Sequence, residues 1–159
     1  MTETDPEVEA PRLVVEGRTA RAMLGASAVD LALPTVPDRQ ILASAHLRAS
    51  GYRGEGVERE PPDGHDLVAI QVSCLALALR GGVAWRPPSL RAFGRDPVAH
   101  GEAALTSIVD LGLERDPLRV VRLAAEVWAW FFDLFVQDAE AAAAEGFRRP
   151  PRRAPDATQ

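Results

Sequence analysis

The chain has 159 residues, of which 47% are apolar and 26% charged, a length and composition that suit one folded unit with a sizeable core and exclude fibrous or wholly disordered classes. All 18 basic residues are arginine, so Schiff-base chemistry, a phosphate-loop lysine and a serine–lysine dyad are excluded. A formal charge of −5 disfavours nonspecific binding of a nucleic-acid backbone by the chain as a whole.

Asparagine is absent as well as lysine, while Arg, Ala, Gly and Pro are abundant, the residue usage of a GC-rich and most simply bacterial genome. Cys74 is the only cysteine, which rules out an internal disulfide framework and fits a reducing cytoplasm. The opening MTETDPEVEAP has neither the basic nor the apolar region of a secretory signal. With its acidity and two prolines it reads as a disordered end over residues 1–11.

Residues 12–147 read as a single helical domain. RLVVEG, ending at Gly17, could be a short strand and is the main threat to an all-helical reading. The segment from Thr19 to Leu33, with Met23, Leu24 and Leu31 among small residues, is expected as a first helix stopped by Pro34. A second helix begins at Thr35, whose hydroxyl can cap the turn opened by Val36 and Pro37, with Asp38 returning a bond to the cap backbone; it ends near Gly51. GYRGEGVEREPPDG, residues 51–64, is a loop, because its glycines and paired prolines defeat both helix and sheet.

DLVAIQVSCLALALR, Asp66 to Arg80, is apolar on every side of a helical projection, so this third helix belongs in the middle of the fold, stopped by Gly81 and Gly82. WRPPSLRAFGRDP follows. Trp85 and Phe93 are expected to fold back over helix ends, or else to form an anion-binding or base-stacking surface with Arg86, Arg91 and Arg95. Asp96–Pro97 opens a fourth, amphipathic helix with Val98, Leu105, Ile108, Val109 and Leu111 on one side and His100, Thr106, Ser107 and Asp110 on the other; it closes at Gly112.

Asp116–Pro117 repeats that opening for a fifth helix running to Gly146, long enough to cross the whole domain. Arg115, Arg119, Arg122, Glu126, Asp133, Gln137 and Glu140 form one narrow polar stripe, so the remainder, including VWAWFFDLF, must be buried against something. The same charges interrupt its apolar run, so it reads as a soluble helix and no membrane span is expected. Trp130 lies at the edge of the stripe beside Glu126 and Asp133, where partial exposure would make it an anchor for self-association or a protein partner. The tail from residue 148 to 159, with Arg149 and Arg152, reads as disordered and arginine- and proline-rich, or as a contact segment.

Catalytic signatures are weak. His46, His65 and His100 lack HExxH, Glu-x-x-His or Cys-x-x-Cys company, and no cofactor or metal motif occurs. Cys74 sits mid-helix among apolar residues, where a thiol is inert. The reading is therefore an all-α protein, a five-helix bundle or irregular helical array, acting as a noncatalytic adaptor, regulatory subunit or inhibitor of a bacterial protein. Its rival is a small-molecule pocket or enzyme between the third, fourth and fifth helices, using His100 with Ser107 or Asp110 and Arg91, beside a cavity lined by Trp128, Phe131 and Phe135. A third possibility is nucleic-acid contact through the arginine loop and tail.

Overall fold

The computed structural model describes residues 12–54, 56, 61–80 and 82–148. The acidic residues 1–11, part of the 51–64 loop and the tail with Arg149 and Arg152 lie outside them.

The chain is mixed α and β, which corrects the expected all-α, five-helix bundle. A three-stranded antiparallel meander comes first: β1 (Leu13–Glu16), β2 (Thr19–Leu24) and β3 (Ser27–Leu31), in the order β1-β2-β3. Four helices follow: α1 (Val36–Ala49), α2 (Gly64–Ala78), α3 (Pro97–Asp110) and α4 (Pro117–Arg148), with a 3-10 turn over Leu90–Phe93 before α3.

The first expected helix is thus a hairpin. Gly17 and Gly25, at φ 62° and 61°, each stand first in a two-residue turn, where positive φ lets the flanking strands keep their twist. In β2, Ala20, Ala22 and Leu24 alternate inward with Thr19, Arg21 and Met23 outward. Val29 of β3 joins the inward set. The sheet is tied to the helices at both ends: Ala32 N–H donates to Ala78 O (2.8 Å), and Gly25 N–H donates to the Glu114 carboxylate (3.0 Å).

The helix starts follow their caps. Thr35 Oγ1 accepts a long bond from Asp38 N–H (3.4 Å), but the Asp38 carboxylate accepts from Arg80 (3.3 Å) and makes no bond back to the cap. Asp63 caps α2 by accepting from His65 and Asp66 N–H, so the helix starts at Gly64, two residues before the expected Asp66. Asp96 and Asp116 serve α3 and α4 in the same way.

Helix α2 is the centre of the molecule, with Val72 to Leu79 all buried. Helix α3 lies against it so closely that a Cβ built on Gly101 would stand 1.8 Å from Ala69 O. On α3 the expected faces are partly reversed: His100 is buried with Ala104 and Ile108, whereas Leu111, just past the helix, is exposed. Helix α4 supplies Val120, Leu123, Ala124, Val127, Trp128, Trp130, Phe131 and Leu134 to the same core. No helix among the described residues is long and apolar enough to cross a membrane.

Candidate functional site

Two features stand out: a sealed polar pair in the interior and an uncovered apolar side of α4.

The sealed pair is Ser73 of α2 and His100 of α3. Ser73 Oγ and His100 Nδ1 are 2.7 Å apart, and His100 Nε2 lies 2.8 Å from Pro88 O. A carbonyl only accepts, so Nε2 carries the proton and donates to Pro88, while Nδ1 accepts from the Ser73 hydroxyl. The imidazole is then neutral with both nitrogens satisfied. Phe93 packs edge-on against it at 5.6 Å, and burial pushes its pKa below the usual imidazole value, with the Pro88 bond a smaller opposing influence. Both side chains are buried, so a serine–histidine contact of nucleophilic length has no route to a substrate. The expected partners Ser107 and Asp110 are elsewhere: Ser107 is half-buried and Asp110 exposed. Ser73 could have been found in the sequence as a hydroxyl on an otherwise apolar helix, since a buried hydroxyl needs a partner.

Other reactive groups are equally restrained. Burial pushes the Cys74 thiol up to about 12. His65 pairs with Glu102 at 2.9 Å on the surface, and that bond raises its pKa. His46 stacks on Trp128 with ring centroids 4.5 Å apart, and burial lowers its pKa. Among the described residues no cluster of His, Cys, Asp and Glu is arranged to hold a metal ion.

Trp130, the expected exposed anchor, is only 6% exposed, and its indole N–H donates to Gly17 O (3.3 Å). The cause is the sheet: the β1–β2 turn covers the edge of the stripe where a helices-only reading leaves the indole in water. Trp130→Phe is expected to lower stability by about 1 kcal/mol through loss of this bond, measured by chemical denaturation; an unchanged midpoint would show that the turn does not need it. The neighbouring Glu126 and Asp133 are exposed, as their stripe implies.

The rest of α4 departs from expectation in the other direction. Leu118 is 64% exposed, Phe132 54%, Phe135 46% and Val136 39%. Ala125, Ala129, Ala139 and Ala143 are exposed on the same helix, and every residue from 141 to 146 is exposed. The side that sequence periodicity assigns to the core is therefore split: one part meets α2 and the sheet, and another meets nothing in the described chain. Helix α1 runs alongside. Arg39 sits over the Phe131 ring at 5.4 Å and bonds Asp138 (3.4 Å), whose carboxylate also accepts from Arg18 (2.7 Å). These contacts, with the Trp128–His46 stack, set Phe131 and Trp128 against side chains of α1, while Phe135, the third residue considered for a cavity wall, is exposed. On α1 itself, Val36 and Leu47 are also exposed.

Trp85 is half-buried against the core and Phe93 turns toward His100, so the loop before α3 folds back and leaves Arg86, Arg91 and Arg95 exposed without an aromatic platform. A polar cleft of about 440 Å³ opens where the end of α1 meets the starts of α2 and α3. Arg48, Arg53 and Arg95 face Asp63, Asp66 and Asp96 in its lining, so neither charge dominates.

In comparison with known proteins, the chain matches no family model, no curated protein and no solved structure.

Proposed function

We propose that this chain is a noncatalytic interaction module, an adaptor, regulatory subunit or inhibitor working in the cytoplasm, that docks on another protein through the exposed apolar side of α4 and the adjoining side of α1. The single observation that carries this reading is the exposure of Leu118, Phe132, Phe135 and Val136 on the helix that also supplies much of the core. Apolar side chains gathered on one face are what protein partners cover, and aromatic ones contribute most. Two further facts support it: the serine–histidine pair and the thiol are both sealed from solvent, and the aromatic residues of the arginine loop are turned inward.

The test uses tagged wild-type chain and the Phe135→Asp/Leu47→Asp variant in extracts of the source organism, with retained proteins identified by mass spectrometry and then purified for direct titration. A genuine partner binds wild type and loses roughly 30-fold or more in affinity to the variant, the effect of removing an interface anchor. A partner whose titration is indifferent to both substitutions would overturn the reading, as would turnover of a small molecule by the purified chain.

A further inference from the structure

We propose that the uncovered strip of α4 is the seat of a second copy of this chain, the two α4 helices lying antiparallel about a twofold axis level with the Trp130–Phe131 peptide. The proposal rests on the reading of α4 as an interaction surface and names its first occupant.

Three observations lead to it. The first is spacing. Leu118, Ala125, Phe132, Ala139 and Gly146 recur every seven residues, and Arg122, Ala129, Val136 and Ala143 recur four places after them. This is the heptad seam by which one helix packs along another. Of these residues every one from Leu118 to Gly146 is exposed.

The second is complementarity of size. With antiparallel helices and the axis placed as stated, Phe132 faces Ala129 of the second copy, Val136 faces Ala125 and Leu118 faces Ala143. Every large side chain of the seam meets an alanine. Arg122 meets Ala139 and can lie along it toward Glu140. Large-against-small pairing lets two helices approach closely without voids.

The third is charge. Arg119 and Arg122 stand in the first turns of α4, and Glu140 stands near its end, all on or beside the seam. Cations at an amino terminus and anions at a carboxyl terminus oppose the helix dipole, so this order does not favour an isolated helix. Antiparallel pairing sets Arg119 and Arg122 beside Glu140 of the second copy, with Glu126 and Asp133 facing one another nearer the axis, and it lays the exposed turn around Ala143 on the turn around Leu118. A parallel pair would put like charges together at both ends.

The strip is about 40 Å long and about one helix wide, a footprint on the order of 400 Å² per copy. That is below the size of an obligate interface, so the dimer is reversible and concentration-dependent.

The test has two parts. Sedimentation of wild type from about 10 µM to about 1 mM should show a rising dimer fraction, and Phe132→Glu, at an exposed position, should remain monomeric with unchanged far-UV circular dichroism. A wild type that stays monomeric throughout overturns the proposal. Register is read with Leu118→Cys and Ala143→Cys, both exposed, since the native Cys74 is buried and does not compete. The helix separates these two positions by about 37 Å. Under mild oxidation, mixed Leu118→Cys and Ala143→Cys chains should form a covalent dimer and neither variant should do so alone, because a disulfide spans only about 4.4–6.8 Å between Cα atoms. Self-linking of either variant, or no link in the mixture, overturns the antiparallel arrangement. Partner binding that survives Phe132→Glu but not Phe135→Asp/Leu47→Asp would leave the docking function standing even where the dimer fails.

Discussion

Gly101→Ala is expected to lower the unfolding free energy by about 3 kcal/mol or more, seen as a shift of the denaturation midpoint with little change in slope. Helix propensity alone argues the reverse, since alanine is favoured over glycine in a helix interior by about 1 kcal/mol. What decides the sign is the neighbour: the added carbon would stand 1.8 Å from Ala69 O and 2.6 Å from Ala69 C, backbone atoms of a helix enclosed on all sides. Such atoms cannot rotate away, so α2 and α3 would have to separate and open the core around Ile70, Ala104 and Ile108. A variant as stable as wild type would mean that the two helices do not approach as described.

His100→Ala is expected to cost about 3–5 kcal/mol. It removes a buried ring, leaves a cavity beside Phe93, and strands the Ser73 hydroxyl and the Pro88 carbonyl without partners. The same group makes the protein acid-sensitive. Its pKa is lowered in the folded state, so below the ordinary imidazole value of about 6.5 the unfolded chain takes up a proton that the native state refuses. Stability is therefore level above about pH 6.5 and falls as pH drops below it. His46, also lowered, adds in the same direction. His65 has the opposite sign, its raised pKa giving a contribution present below pH 6.5 and lost as pH rises through the folded value, but it is exposed and its effect is small. Denaturation midpoints measured from pH 8 to pH 5 check this; a midpoint rising toward pH 5 would contradict the neutral, sealed imidazole.

Local chemistry made the helices legible. Thr35, Asp96 and Asp116, each with a proline close behind, announce α1, α3 and α4, because a short polar side chain and a fixed φ satisfy the first turn without help from the rest of the fold. The unbroken apolar run of α2 likewise announces its central burial. The sheet was hidden for the converse reason. TARAML contains good helix formers and little β-branching, and it is a strand because two glycines turn the chain on either side and small inward residues fit against helices; only RLVVEG hinted at it.

From that omission the misplacing of Trp130 follows. Without the β1–β2 turn, Trp130 faces water and becomes the anchor; with it, the indole is covered. Periodicity also could not separate an apolar side that meets its own chain from one that meets nothing, so the exposure of Phe132, Phe135 and Val136 needed coordinates. The Ser73–His100 contact joins two helices and could be read from neither alone.

The bond from Trp130 to Gly17 spans 113 positions along the chain, and the amino-terminal strands rest on helices made much later. On the ribosome this order means that the meander emerges long before the surface it packs on. Until α4 is released the short strands lack the helix that packs on β1, and a three-stranded ribbon of this size is marginal by itself. Shortening the chain anywhere before Trp130 should therefore remove native order from both ends at once, not from the truncated end alone.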